Sequence, residues 1–538
     1  MDVTTRQLDF DACYLAVSAR DARFDGRFYT AVTSTGIYCR PICPARTPAR
    51  KNVRFYRHAA AAEAAGFRPC RRCRPELSPG DPGWDVRADL VGRALRLIDD
   101  GVADEHGVAG LAHRLHVTER HLHRLFAAEL GTGPLAVART RRLLLAKQLL
   151  TETALPITDV AFAAGFGSVR QFNAAMKESY GFAPGELRKA VGPLAAASRA
   201  GRTPGIEGAG TATGTDGAPT ASSAAAATGL GLRLAFRRPY DAQSVLRFLA
   251  ARAIPGVEHV TWAGTDATGT DATGTDATGS GGAAGSGGVA RYTRAVPGGS
   301  ITLQPAGDHI RLTVRTADTR QLARIVARCR RLLDLDADPE AVASILGSTA
   351  LAPLVAARPG LRVPGAFDGF EMAVRAVVGQ QISVAGARTI LGRLAARAGT
   401  PAAEGAAEPD GDAAPVVGVL FPGPDRLVGA DLGGLGLTTR RVATLTALAE
   451  AVAGGEIDLD GADDPAETTA RLLRLPGIGP WTANYIALRS LGDPDAWPDG
   501  DLVLRKTMAR LGIAAAEAER WRPWRAYAAL HLWSASAA

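Results

Sequence analysis

Four of the six cysteines fall into two close pairs: Cys39-x3-Cys43 in GIYCRPICPAR and Cys70-x2-Cys73 in FRPCRRCRPE, with 26 residues between the pairs. Each pair can grip one edge of a tetrahedron. Two such pairs make a four-thiolate site for one Zn²⁺ when the chain between them folds back. A zinc-bound sulfur stays deprotonated and nucleophilic at neutral pH. The setting is cationic: from Cys39 to Arg74 there are ten Lys/Arg against a single acid, Glu63. That reads as a phosphate-facing surface, beside which a thiolate could attack an alkyl group carried on a phosphate. The plainer reading of the same ligands is a zinc that only holds a small domain together. Cys13 and Cys329 stand apart and read as buried thiols.

The chain around these residues has 538 positions, enough for three to four domains, and its 46% hydrophobic content supports ordinary cores. The net charge of +8 leans toward a polyanionic partner. Almost all the positive charge is arginine, the lysines being only Lys51, Lys147, Lys177, Lys189 and Lys506. A planar fork of donors suits phosphate, although a codon bias toward Arg, Ala and Gly produces the same composition. The N-terminus carries acids and no apolar leader, and no run has the length of a membrane span. These features predict a cytoplasmic protein with no membrane partner, where structural disulfides are rare.

The pattern is multidomain and mainly α. Residues 81–190 hold two similar units, Val108–Phe126 and Ile157–Met176, each with a small residue (Ala112, Ala161) in a first helix, a short turn and an amphipathic second helix. Gly165 supplies the permissive turn in the second unit. His116 takes the comparable place in the first, being more tolerant of positive φ than most residues. Helix-turn-helix units place the second helix in the major groove. Here that offers Glu119, Arg120, His121, His123 and Arg124 from one unit, and Arg170, Gln171 and Asn173 from the other.

Residues 191–228 are an Ala/Gly/Thr/Ser/Pro linker, and the repeat at 263–288 is an inserted loop, with a third polar insertion near 400–415. ARYTRAV, SITLQP and HIRLTVR alternate with period two and predict an antiparallel sheet, flanked by helices at 241–252 and 318–334. From about 366 the chain reads as helical. Within it, LPGIGPWTANYIALRSLG makes a tight hairpin, in which Gly477 and Gly479 let the backbone bend and approach a phosphate.

Three resemblances follow from these motifs. The two cysteine motifs are similar to the N-terminal methyl-accepting domain of the Ada adaptive-response proteins, over about residues 1–80. That resemblance implies that Cys39 takes a methyl group from a methylphosphotriester irreversibly, with Cys43, Cys70 and Cys73 as the remaining zinc ligands. Four thiolates on Zn²⁺ carry a formal charge of −2, and methylating one makes it −1, which favours DNA binding. Residue physics alone does not choose Cys39 over Cys43. Residues 81–190, closing on YGFAPGELRK, resemble an AraC-type DNA-binding domain, which implies promoter DNA and RNA polymerase as partners. Residues 229–538 resemble the AlkA-type alkyl-base DNA glycosylases: an α+β domain over 229–350, then a helix-hairpin-helix glycosylase domain over 351–538.

This last resemblance places the catalytic carboxylate at Asp501 in WPDGDLVLRK, with Asp499 as the local rival; a helix N-cap would look the same. It implies a base pocket of Trp481, Tyr485 and Trp533. It also implies a wedge in VVGQQISVAG, with Gln380 and Gln381 at the minor groove, and a monovalent cation at the hairpin. Trp481 stands where lyase-type relatives carry a lysine, so a monofunctional enzyme is expected. No cysteine follows Cys329, so no iron–sulfur cluster is expected in the C-terminal region, and no Pro-Cys-His-Arg is present for O6-methylguanine repair.

The expected protein is thus a monomeric methylphosphotriester-sensing regulator fused to a glycosylase that excises alkylated purines. One rival is a regulator whose glycosylase half is inactive and only grips DNA. The other is a repair enzyme whose zinc half is merely structural.

Overall fold

The computed structural model describes residues 8–80, 90–190, 229–262, 290–402 and 417–536. The expected linker at 191–228, the repeat at 263–288 and most of the polar insertion near 400–415 lie outside the described residues.

The first module is a four-stranded sheet in the order Val53–Tyr56, Tyr29–Val32, Ile37–Cys39, Arg68–Pro69. Its last two strands run parallel, with Ile37 opposite Arg68 and Tyr38 opposite Pro69. The next position on each strand is a cysteine, so this register alone brings Cys39 beside Cys70. The Cys70 N–H donates to the Tyr38 carbonyl at 2.9 Å and continues the pairing.

Helix Ala59–Ala64 buries four consecutive alanines, Ala59 to Ala62. Such small side chains let it lie close against the 19-residue helix Pro134–Glu152, which joins the two helix-turn-helix units. Glu63 is half-buried there, accepting from Tyr38 Oη at 2.9 Å and Thr140 Oγ1 at 2.6 Å. Lys147, buried on the same long helix, reaches the Glu76 carboxylate at 2.7 Å and the Cys70 carbonyl at 3.3 Å.

The recognition helices are Glu119–Leu130 and Val169–Tyr180, capped by the Thr118 and Ser168 side chains. Leu122, Phe126 and Leu130 face one core; Phe172, Met176 and Tyr180 face the other. The turns before them carry His116 at φ 55° and Gly165 at φ 92°.

Next comes a five-stranded antiparallel sheet in the order Leu230–Ala235, His309–Thr316, Gly299–Ala306, Ala290–Val296, Glu258–Trp262. Helices Ala242–Arg252 and Leu322–Leu332 contribute to its core, where Cys329 is fully buried. The remaining helices surround Gly369–Val378, of whose ten residues only Arg375 is not buried. A four-residue charge network ties that helix to the sheet: Arg294 and Arg375 both pair with Glu258 and Glu371. Burial raises Glu371, but the two guanidinium groups outweigh it and bring it down to about 2.

The two halves of the chain share one core. Residues of the second helix-turn-helix unit and of the five-stranded sheet belong to a single apolar cluster. Polar ties run alongside it. Arg237 donates to the carbonyls of Asp25, Gly80 and Asp336. Gln148 donates to the Arg233 carbonyl at 2.9 Å, and Arg96 to the Leu491 carbonyl at 2.7 Å. Arg237→Met removes a buried fork that serves three carbonyls. We expect a loss of about 2–4 kcal/mol, measured by urea unfolding of the full chain.

Candidate functional site

Two sites stand out. At the first, one ligand atom from each of Cys39, Cys43, Cys70 and Cys73 lies within 4.8 Å of all the others. Sulfurs bound to Zn²⁺ at about 2.3 Å stand close to 4 Å apart, so the four residues fit a tetrahedral ion. Cys70 and Cys73 are buried, while Cys39 and Cys43 keep partial exposure. Backbone N–H groups point at three of the sulfurs: Arg40 at Cys73, 3.4 Å away, Ala45 at Cys43, and Cys73 at Cys70.

The basic surface is narrower than the residue count suggests. Arg40 turns inward, its guanidinium bonded to the buried Asp25 carboxylate and to the Cys73 carbonyl. Arg74 is engaged by Glu76 and Glu152. Arg46, Lys51, Arg54, Arg68, Arg71 and Arg72 are exposed, with Arg71 resting over the Phe182 ring. On the recognition helices Arg120, Arg124, Arg170 and Gln171 are all exposed, and Arg124 meets His121 Nδ1 at 2.9 Å.

The second site is a cavity of about 720 Å³ between the five-stranded sheet domain and the helices. Asp501 lines it and also caps helix Leu502–Arg510, its Oδ1 accepting from Leu504 N at 2.8 Å. Two indoles aim at the same carboxylate: Trp481 Nε1 donates to Oδ2 at 2.8 Å, and Trp533 Nε1 to Oδ1 at 3.1 Å. Asp499 is exposed, lies outside the cavity lining, and accepts from the Gly500 N–H. Trp481 stacks on Tyr485 with centroids 5.2 Å apart and planes 7° apart, and Tyr485 meets Trp533 edge-on at 6.1 Å. The three aromatic residues are therefore in contact with one another, and two of them hold the acid.

The Gln380 amide donates to the Gly477 carbonyl at 3.0 Å and to Thr482 Oγ1 at 2.9 Å. Arg441 in turn donates to the Gln380 carbonyl. Gln380 thus fastens the wedge turn to the hairpin. Gln381 is exposed and held at φ 55°, a conformation that projects it from the turn. Gly477 has φ 87° between helices Pro465–Leu472 and Pro480–Ile486. Gly479 has an ordinary φ of −96° and open space where a Cβ would stand, so its use is access and not torsion.

Sequence reasoning missed the indole-to-carboxylate bonds and Arg489, whose Nη1 donates to Tyr485 Oη at 3.0 Å. The i, i+4 spacing of Tyr485 and Arg489 on one helical segment was the available signal.

Family models match three segments: the metal binding domain of Ada over residues 12–76, a helix-turn-helix domain over 111–190, and the AlkA N-terminal domain over 231–368. They define a class in which a metal-binding regulator is joined to a glycosylase-like fold. The chain is 42% identical to the probable bifunctional transcriptional activator/DNA repair enzyme AlkA of Mycobacterium tuberculosis (strain H37Rv), over 98% of this chain and 96% of that protein. It belongs to that family of bifunctional AlkA proteins. Shorter matches are to the DNA-3-methyladenine glycosylase 2 of Escherichia coli (strain K12), 35% identical over 56% of this chain and 95% of the relative, and to the Ada protein of the same organism, 43% identical over 25% of this chain and 37% of the relative.

A Cβ at Gly477 would stand 2.1 Å from Thr444 Oγ1. With the positive φ this predicts that Gly477→Ala destabilises the fold by about 2–3 kcal/mol. Thermal unfolding checks the loss, and the same variant should bind duplex DNA more weakly.

Proposed function

We propose that the protein senses methylphosphotriesters and regulates transcription through its N-terminal half, while its C-terminal half excises alkylated purines as a monofunctional glycosylase. The division of labour is an Ada-type acceptor over 1–80, an AraC-type reader over 81–190, a linker over 191–228, and the two glycosylase domains over 229–350 and 351–538. Arg120, Arg124, Arg170 and Gln171 meet promoter DNA, and the bound regulator acts on RNA polymerase as a monomer in the cytoplasm.

The observation that carries the repair reading is the Asp501 carboxylate, held at the cavity by two indoles and a helix amide. An ionised carboxylate offers about four lone-pair sites. Three are taken, which fixes the orientation of the carboxylate at the cavity. That suits electrostatic stabilisation of the oxocarbenium-like sugar that forms as the glycosidic bond breaks. A base alkylated on a ring nitrogen is already cationic and leaves neutral. The nucleotide is first flipped out of the stack, with Gln381 filling the gap and Gly477 and Gly479 gripping the backbone beside a monovalent cation. Trp481, Tyr485 and Trp533 receive the base. With Trp481 in place of a lysine, no Schiff base forms.

At the thiol cluster Cys39, Cys43, Cys70 and Cys73 would hold a Zn²⁺, which would keep their sulfurs deprotonated. Cys39 Sγ attacks the methyl carbon of the triester, the S–CH₃ bond forms, and the O–CH₃ bond breaks to leave a phosphodiester anion. Partial exposure favours Cys39 and Cys43 over the buried Cys70 and Cys73, and of the two the resemblance to the Ada domain favours Cys39.

Two measurements check these roles. Asp501→Asn should slow base release from methylated duplex DNA by roughly 10²–10³-fold. Equal release by both proteins removes Asp501 from the reaction, and no release by either supports a DNA-gripping regulator. Incubation with methylated DNA should add one methyl group to the peptide containing Cys39, and none to Cys39→Ser. An unmodified wild-type peptide would leave the metal with a structural role only.

A further inference from the structure

The apolar core of the first helix-turn-helix unit is not built from the regulatory helices alone. Among the described residues, its buried members come from those helices with two exceptions: Ala60 of the zinc module and Ala462 of the repair half. Ala462 sits in the loop 458–464, which leads directly into helix Pro465–Leu472 ahead of the hairpin. Asp458 orders this loop, its Oδ1 accepting from the N–H groups of Asp460, Gly461 and Ala462 at 3.0, 2.8 and 2.9 Å. The first unit grips it at three points. Arg93 Nη1 donates to the Ala462 carbonyl at 3.0 Å, Arg114 Nη2 donates to Asp458 Oδ2 at 3.0 Å, and His116 Nε2 stands 3.2 Å from Asp463 Oδ1. Asp463 is buried, and its Oδ2 accepts from Arg471 Nη1 at 2.6 Å. One carboxylate therefore touches the turn before a recognition helix and the helix before the hairpin.

We infer that loop 458–464 of the repair half is a working part of the promoter reader: Asp458, Ala462 and Asp463 position the first recognition helix, Glu119–Leu130, and first-unit binding to DNA depends on them. This rests on the promoter-reading proposal above. The turn shows why outside support is needed. His116 is held at φ 55°, and a non-glycine residue keeps such a conformation only where its surroundings impose it. Gly165 adopts the comparable torsion in the second unit without that strain. In the first unit the support comes from Asp463 beside the imidazole, Asp458 on Arg114 just before the turn, and Ala462 in the core into which Leu122, Phe126 and Leu130 also pack. Arg120 and Arg124 stay exposed, so the grip leaves the reading side chains open to a groove. A recognition helix reads bases only when it enters the major groove at the right angle, so loosening the loop weakens reading without removing any DNA-contacting group.

The test uses the full-length zinc-loaded protein after methyl transfer, and a duplex that the wild type selects from a random-sequence pool. Asp458→Ala removes the acceptor that orders the loop, and Ala462→Asp sets an unpaired carboxylate against the core and expels the loop. Each should bind the selected duplex about tenfold more weakly or worse. In hydroxyl-radical footprints each should lose protection of the groove that Arg120→Ala also uncovers, while the neighbouring groove stays protected. Asp458→Asn keeps the acceptor oxygen and should bind within about threefold of the wild type, since the pair with Arg114 is largely exposed and contributes little. Release of 7-methylguanine from duplex DNA should stay within about threefold in all three variants, Asp501 being a separate site, which shows that they are folded. Unchanged affinity in Asp458→Ala and Ala462→Asp overturns the inference. So does an even loss of protection over both grooves, or a parallel loss of base release, either of which would make the loop a general stability element. A wild type that selects no sequence from the pool removes the promoter reading, and the inference with it, before any variant is made.

Discussion

Arg237 and Arg362 lie side by side where the modules meet, and the carbonyl of the first accepts from the second. Between them their guanidinium groups serve the carbonyls of Asp25, Gly80, Asp336, Ala337, Arg237 and Pro239. A junction of chain ends and turns leaves many carbonyls without secondary-structure partners, and each would cost about 1–3 kcal/mol if buried unpaired. The five donors of a guanidinium, in a rigid fork, can satisfy several at once. Arg96, Arg375 and Arg489 repeat the device at other seams. The arginine content is thus partly an interior requirement as well as a surface property.

That junction bears on how the two halves relate. The zinc module sits on the helix that joins the recognition units, through Glu63, Arg74 and Lys147. The same helix reaches the five-stranded sheet through Gln148 and Glu152. Asp25 binds Arg40, the neighbour of Cys39, with its side chain and Arg237 with its carbonyl. The thiol cluster is therefore mounted on the regulatory helices, and its module also meets the repair half through Asp25, Arg27 and Gly80.

At the second site one carboxylate is shared between a helix cap and the cavity. Asp501 caps a helix, a role that any N-terminal aspartate can fill, yet its two oxygens also receive two indoles. The cap sets the position of the carboxylate, the indoles set its orientation, and Trp481 carries that order onward to Tyr485 through its stacking face. The positive φ of Gln381 and the internal bonds of Gln380 make a similar division in the wedge turn, where one glutamine is the anchor and the other is presented.

Spacing along the chain was sufficient for several features because their physics is local. Two close cysteine pairs imply a metal whatever the fold, and Gly165 and His116 mark turns through the torsions their types tolerate. Recognition-helix residues were legible because an amphipathic period separates the buried Phe126 and Phe172 from the exposed Arg124 and Arg170. The basic run around the cysteines was over-read, since whether Arg40 faces a phosphate or Asp25 depends on a residue that the sheet brings to it. Asp501 could be separated from Asp499 only by resemblance, because both fit a helix start and the indoles that distinguish them come from positions 20 and 32 residues away. The sequence by itself determined which groups could do chemistry. Only the tertiary structure decided which of them have partners, because burial and hydrogen bonding between distant segments are properties of contacts that no single stretch of chain contains.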